Sequence, residues 1–480
     1  MASLKNYTVT KIGTHRGSPR IWLQGLDPAR AGFKPGDTIA VRPDPNRPLL
    51  TIVADEAGRH TVSRKAPRGS GEEPEYIPVI DINNRDILAM FSGLQSVRVV
   101  VQPGRITILP VASEMRARER LRRLRERLSA GERLETGSMA SGVGILDRAA
   151  HEGLKSAGLD AHLAFVNEVR EDCIEHAVER NPVIESDTML ITAPMQEAVF
   201  DEWLQRQMPQ IDLLVAGIPC SAASRPGRAK RGLAHPEDHP LVGHLVVAFL
   251  AMIARTNPAV VCLENVPIYA QTASMSIIRN QLADLGYDVH EIVLKASEWN
   301  MVEPRERLCM VAVTKGIAFS FDELERPEPS APKVGAILDD VALDSPMWST
   351  MDYLKDKRER DAAKGSNFKM NVVTADSTAV GCLNKTLWKR QSTGTFVQHP
   401  HNPDLLRLPT VAEHARAKGV WPDLVDGIGF TFGHEVLGQS VSVPPWVAVF
   451  KLLGQRLKAF AQTTCEVLPF FSTGQLKVAA

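Results

Sequence analysis

Between residues 136 and 315 the chain alternates short apolar runs with stretches of helical character. LAFV, MLIT, DLLVAGI, AVVCLENV, HEIVLKA and LCMVAVT are the apolar runs, and helical stretches lie between most of them. Apolar strands alternating with helices predict an α/β fold built on a doubly wound, mostly parallel sheet. The pattern changes on either side. Residues 1–110 read as short strands, RIWLQG and DTIAV among them, broken by the turn signal Phe33-Lys34-Pro35-Gly36-Asp37. Residues 111–135 read as a helical connector. From 316 to 405 the rhythm is lost and the composition turns polar, with Pro327, Pro329 and Pro332 near the start. The remainder, 406–480, is helical over about 409–463 and should complete the 136–315 domain.

The first hundred residues contain a weak internal repeat. RIWLQGLDPARAGFKPGDTIAVRPDPNRPLLTI and VIDINNRDILAMFSGLQSVRVVVQPGRITI each run strand, short helix-like segment, strand, turn, strand. APRGSGEEPEY, 66–76, separates them with the composition of a flexible linker. Two such halves can close one small barrel and so remove exposed edges. The arrangement resembles the AbrB-type swapped-hairpin barrel, SymE-like toxins included, with both copies fused in one chain. The resemblance implies a small β-barrel domain over 1–110.

Composition narrows the class. A chain of 480 residues is long enough for two to four domains. Apolar residues make up 44% and charged residues 23%, as in ordinary globular proteins. No run of about 18 apolar residues is present. The opening MASLKNYTVTK lacks the apolar core of a signal peptide, so a cytoplasmic protein is expected. The six cysteines are scattered without a Cys-x-x-Cys pair, which gives no reason to expect a metal site or a disulfide framework. Lysine plus arginine equals aspartate plus glutamate at 56 each, so any nucleic-acid face has to be a local patch. One candidate is the connector, with seven arginines between Arg116 and Arg127. It reads equally as a solvated helix with local ion pairs or as a phosphate-contacting one.

Three strand ends carry reactive types. Asp212-Leu-Leu-Val-Ala-Gly217-Ile-Pro219-Cys220 delivers a thiol to a carboxyl end of the sheet, the edge where open α/β sheets bind ligands. A lone cysteine is commonly a core residue. Here proline, small residues and several arginines follow, as suits an exposed loop in a positive field that favours thiolate. Val260-Val261-Cys262-Leu263-Glu264-Asn265-Val266 ends a second strand in a carboxylate, which on its own reads as a solvated loop acid. Glu303-Pro304-Arg305-Glu306-Arg307 precedes a third strand, and its alternate arginines suit phosphate and a base carbonyl.

In this order the elements resemble the DNA cytosine-5 methyltransferase family over about 136–460. The matches are Pro219-Cys220 with Ser224 and Gly227, Glu264-Asn265-Val266, and Arg305-x-Arg307. Asn167-Glu168, Gly286-Tyr287, Thr410-x-x-Glu413-x-x-Arg416-x-x-Gly419 and Gly438-x-Ser440-Val441 with Pro444 extend them. The resemblance implies a catalytic set of Cys220, Glu264, Arg305 and Arg307, acting on a cytosine flipped out of double-stranded DNA. It implies S-adenosylmethionine as cofactor, held by Gly142, Gly144, Glu168, Asp187, Leu245, Gln439 and Ser440. Ser224, Arg225 and Arg228 are expected on DNA. So are Lys389 and Arg390 of the 316–405 target-recognition region. A monomer is expected, with pairing through the N-terminal barrel open. The chain departs from the family at the cofactor turn, which reads Gly137-Ser138-Met139-Ala140-Ser141-Gly142-Val143-Gly144-Ile145. Ser138 stands at the family's acid position, Ala140 at its aromatic, Ile145 at its third glycine. Glu303 stands where the family has glutamine, and Gln439 where it has asparagine. A degenerate DNA-binding regulator and an RNA cytosine-5 methyltransferase are the competing readings.

Overall fold

The computed structural model describes residues 3–45, 47–66, 75–219, 235–363, 365 and 370–463. The described residues up to Glu119 form one compact unit and Arg120–Thr463 a second.

In the first unit, Ser18–Gln24, the short helix Leu26–Ala31, Thr38–Pro43 and Leu50–Ala54 form one copy of the repeat. Ile77–Ile82, Arg85–Leu88, Ser96–Gln102 and Arg105–Pro110 form the other. Each copy pairs its last two strands as a hairpin. The copies also pair with each other, Arg105–Ile108 against Leu50–Val53 and Ile21–Gln24 against Val79–Ile82. Alternate residues of these strands point inward, so Val97, Val99, Val101, Ile106 and Ile108 meet Leu50 and Ile52 in one apolar core.

The second unit is organised by a seven-stranded sheet. Its strands are β1 (Leu134–Met139), β2 (Ala161–Asn167), β3 (Met189–Ile191), β4 (Leu213–Ala216), β5 (Val260–Asn265), β6 (Tyr287–Lys295) and β7 (Glu306–Thr314). They lie in the order β3-β2-β1-β4-β5-β7-β6. Only β7 runs antiparallel to its neighbours. The helices used below are α1 (Ala112–Ala130), α2 (Ile145–Ser156), α3 (Glu171–Arg180), α4 (Leu245–Thr256), α5 (Ala273–Asp284), α6 (Val411–Lys418), α7 (Phe430–Gln439) and α8 (Val443–Gln462). Central strands are apolar at consecutive positions because both faces are covered. Leu213, Val215, Val260 and Cys262 meet α2 and α8, while Leu214, Ala216, Val261 and Leu263 meet α4 and α5. Helices α2 and α8 touch closely because Gly153 faces Phe450; a Cβ at Gly153 would stand 2.5 Å from the Phe450 Cβ.

Strand β1 falls outside the apolar runs of the sequence. Its LETGSM buries two hydroxyls, and Thr136 Oγ1 donates to the His162 carbonyl at 3.0 Å. Gly137 is required there, since a Cβ would stand 2.3 Å from the Phe165 ring.

Arg122 of α1 is exposed and pairs locally with Glu126, but three other arginines of the helix are turned to the protein. Arg120, Arg123 and Arg127 share one helix face at i, i+3 and i+7. Arg120 is 1% exposed, lies 3.8 Å from the Tyr287 ring centroid and donates to Thr314 Oγ1 and the Leu285 carbonyl. Arg123 donates to the carbonyls of Ile211 and Asn257, each at 2.7 Å. Arg127 pairs with Asp212 at 2.9 Å. All these partners belong to the sheet's edge opposite the carboxyl ends of β1, β4 and β5.

Residues 316–405 hold the helix Asp352–Ala363 and the strands Asn371–Val373 and Thr395–Gln398, the latter joined by Leu406–Arg407 in a three-stranded sheet. No single helix among the described residues is long and apolar enough to cross a membrane.

Candidate active site

The carboxyl edge of the sheet brings three turns together. After β1 the backbone takes positive φ at Ala140 (54°), Gly142 (58°) and Gly144 (75°). Gly144 has no room for a Cβ, which would stand 2.4 Å from Asn181 Nδ2; that amide donates to the carbonyls of Val143 and Gly144. Gly142 has nothing within 4 Å of where its Cβ would be, so this part of the turn faces open space. Its N–H donates to Glu168 Oε2 at 2.8 Å, and Glu168 Oε1 accepts from Arg170 N at 3.0 Å. A carboxylate just past β2 is thus tied to the glycine turn.

The other residues assigned to the cofactor divide. Leu245 opens α4 on this edge but is buried in the core with Met139 and Ile218. Gln439 is exposed at the end of α7, and Ser440 Oγ donates to the Leu437 carbonyl at 2.7 Å. Asp187 is at the wrong end. It precedes β3 and accepts from or donates to nothing at the glycine turn; its partner is His162, at 3.2 Å, near the start of β2. Glu168 lies six residues further along that strand, about 20 Å at ~3.3 Å per residue. Asp187 therefore belongs to an amino-edge cluster with His162 and Glu185, where Arg133 pairs with Glu185. Where β3 ends, the chain reads Thr192-Ala193-Pro194, without a carboxylate.

The second turn follows β4. Gly217 N donates to the Met139 carbonyl at 3.1 Å, and Asn265 Nδ2 donates to the Ile218 carbonyl at 3.1 Å. Asn265 is fully buried, so its amide fixes the approach to Pro219. Cys220, Ser224, Arg225 and Arg228 lie outside the described residues. Glu264 ends β5 next to this turn: a Cβ on Gly217 would stand 3.7 Å from Glu264 Oε2 and 3.6 Å from the Ala140 carbonyl.

The third turn precedes β7. Arg307 Nε meets Glu264 Oε1 at 2.7 Å, and both side chains are about 15% exposed (15% and 14%). Arg305 does not join them on the open side. It is 4% exposed and donates to the Gly438 carbonyl at 2.9 Å, so it braces the start of the motif that holds Ser440. This corrects its place in the catalytic set: Arg305 is buried against the Gly438 carbonyl, and only Arg307 reaches Glu264. Glu303 is fully buried, accepting from Leu383 N at 2.9 Å and from Lys418 Nζ at 2.7 Å. Burial, reinforced by Arg305, lowers the Lys418 ammonium to about 7. Lys389 and Arg390 are exposed, with Lys389 Nζ 4.7 Å from the Trp388 ring centroid.

Residues 134–452 match the profile of the C-5 cytosine-specific DNA methylases. The chain belongs to that family. Type II methyltransferase M1.ScrFI of Lactococcus lactis subsp. cremoris is 27% identical over 249 residues, covering 50% of this chain and 61% of that protein. Type II methyltransferase M.MspI of Moraxella sp is 28% identical over 261 residues, covering 53% and 59%. The match thus spans about three-fifths of these relatives' length. The crystal structure of the S. pombe Dnmt2 methyltransferase superposes with a TM-score of 0.52 at 16% identity, over 67% of this chain and 98% of that one, which supports the methyltransferase fold.

Within the family frame, Asn181, Lys418 and Asp147 are site-supporting residues that the motifs did not flag. Asn181 and Lys418 carry no sequence signal of their own. Asp147 had one, an acid three residues past Gly144 in a chain lacking the family's acid at 138.

Proposed function

We propose that the chain is a DNA cytosine-5 methyltransferase that uses S-adenosylmethionine. The observation that carries this reading is the Glu264–Arg307 pair, at 2.7 Å, beside Gly217 of the Pro-Cys turn and the carbonyl of Ala140 in the glycine turn. An acid held by an arginine, next to the turn that leads to a thiol, is what activation of a pyrimidine ring requires.

The target cytosine is reached by flipping it out of the duplex. Cys220, as thiolate, adds to ring carbon 6. Glu264 holds a proton at ring nitrogen 3, so that electron density gathers at carbon 5. Arg307 fixes the Glu264 carboxylate and offers its remaining donors to the 2-oxo group, stabilising charge that develops there. S-adenosylmethionine, when bound, supplies the electrophilic methyl group. Loss of the carbon-5 proton then expels Cys220, a task suited to a polarisable thiol that both attacks and leaves. The residues present fit such a cofactor in two respects: Glu168 stands past β2 where a ribose diol is held in this class of fold, and Gly142 leaves the turn open above it. Lys389 and Arg390 are proposed contacts to DNA in the recognition region, and Ser224, Arg225 and Arg228 in the loop after Cys220. The first unit, by its paired repeats, is proposed to be a swapped-hairpin barrel.

Modification-sensitive sequencing of DNA from cells expressing the protein tests the reading. Methylated cytosine at a recurring sequence with the wild type, and none with Cys220→Ser, is the expected result. Transfer of labelled methyl to RNA and not to DNA would overturn it.

A further inference from the structure

The glycine turn of this chain lacks the acid that the family places at the end of its first strand, and Ser138 stands there instead. The fold brings an acid to the same spot from a different element. Asp147 is the third residue of α2 and is 2% exposed. Ser138 lies close enough for its hydroxyl to counter part of the effect of burial on the carboxyl. Asp147 Oδ2 has no partner among the described residues and lies 3.6 Å from where a Cβ on Gly144 would stand. A buried carboxylate oxygen left without a donor is costly, and such groups in native structures call for an explanation. Its neighbour Asn181 gives none, because that amide is already committed to the Val143 and Gly144 carbonyls. No cationic side chain among the described residues pairs with Asp147, and burial raises the carboxyl to about 7. A positively charged donor brought to this oxygen would satisfy it and favour the ionised carboxylate.

We propose that Asp147 is a cofactor-binding residue of this chain, its free oxygen receiving the ammonium group of the amino-acid end of S-adenosylmethionine. The assignment rests on the methyltransferase reading above. The choice of group follows from chemistry. The cofactor's carboxylate would be repelled, and its ribose hydroxyls belong with Glu168 at the neighbouring strand end. The sulfonium carries charge but no N–H. Only the ammonium supplies both charge and donors, and Ser138 alone supplies neither an anion nor reach. The acid has in effect moved from the strand to the first turn of the helix, beside Ser138.

Calorimetric titration of the full-length protein with three ligands tests this. S-adenosylmethionine and S-adenosylhomocysteine both carry the ammonium, and only the first carries the sulfonium charge. 5′-Methylthioadenosine has neither. Asp147→Asn should weaken the first two at least tenfold and change the third by less than twofold. The double variant Ser138→Asp, Asp147→Asn returns an acid to the strand and should recover most of the affinity for the first two. That recovery is a result a merely bracing role for Asp147 would not give, and the double variant also serves if the single one folds poorly. Equal losses for all three ligands, or none, would overturn the assignment, and so would a loss confined to S-adenosylmethionine, which would point to the sulfonium. A wild type that binds none of the three would overturn the methyltransferase reading itself, and the assignment with it.

Discussion

Glu264 has one oxygen on Arg307 and the other turned toward Gly217, so its role can be separated from binding by small changes. Glu264→Gln keeps the shape and can still meet ring nitrogen 3, yet it has no proton to share. Turnover is expected to fall by roughly 10²–10⁴, with DNA affinity within a few-fold. Single-turnover methyl transfer measured beside filter binding checks it; lost affinity with normal turnover of the bound complex would make Glu264 a brace. Asp147 predicts a pH effect. Burial raises its carboxyl from 3.8 to about 7. Between those values the folded chain keeps a proton that the unfolded chain has lost. The stabilising contribution is thus complete below pH 3.8 and fades as pH climbs to about 7. Asp147→Asn has no such slope. Urea titrations from pH 5 to 8 should show the variant gaining on the wild type by roughly 1.4 kcal/mol per unit at most, then levelling; a constant difference would refute it. At this scale the sequence revealed reactive types at strand ends and hid their partners. Arg305 and Arg307 look alike in a motif, and only burial and partner, the Gly438 carbonyl for one and Glu264 for the other, separate a brace from a candidate catalytic group. Asp187 was misplaced: it precedes the run MLIT and so flanks the amino end of its strand, where it meets His162.

Among elements, the turn before β7 is held by a fully buried ion pair, Glu303 with Lys418 of α6, and by the Glu303 bond to Leu383 N of the 316–405 segment. This gives a physical reason for glutamate where the family has glutamine: a buried ammonium stands opposite it. Removing one member of such a pair leaves an uncompensated charge. Lys418→Met should destabilise by about 3 kcal/mol or more, and adding Glu303→Gln should recover most of it. Denaturant midpoints of the four proteins measure the coupling, and strictly additive losses would show that the pair does not act as a unit. The apolar runs made β2 to β7 legible. β1 was not, because LETGSM places Thr136 and Ser138 in the core, where Thr136 is satisfied by the His162 carbonyl, a partner remote in sequence. Periodicity reports burial of apolar side chains and is silent about buried hydroxyls.

For the whole molecule, α1 matters most. Its sequence allowed a phosphate-binding face, but Arg120, Arg123 and Arg127 are spent on carbonyls, a ring and Asp212. Replacing all three with glutamine should lower the melting temperature and leave the slope of log DNA affinity against log salt unchanged. Three lost phosphate contacts would flatten that slope by roughly 2.7, and seeing this would restore the DNA reading. The family profile begins at residue 134, downstream of all three arginines. A chain starting at Ala112 should therefore melt close to the intact protein, and one starting at Leu134 roughly 5–10 °C lower, as read by calorimetry. The border by ancestry and the border by mechanics differ by about one helix. An exchange of front pieces between relatives made at the inherited border would carry the clamp away with the discarded half, so a working chimaera has to be spliced upstream of it. The helix is thus the portion of this chain that recombination could not trade freely, although it lies outside the candidate active site.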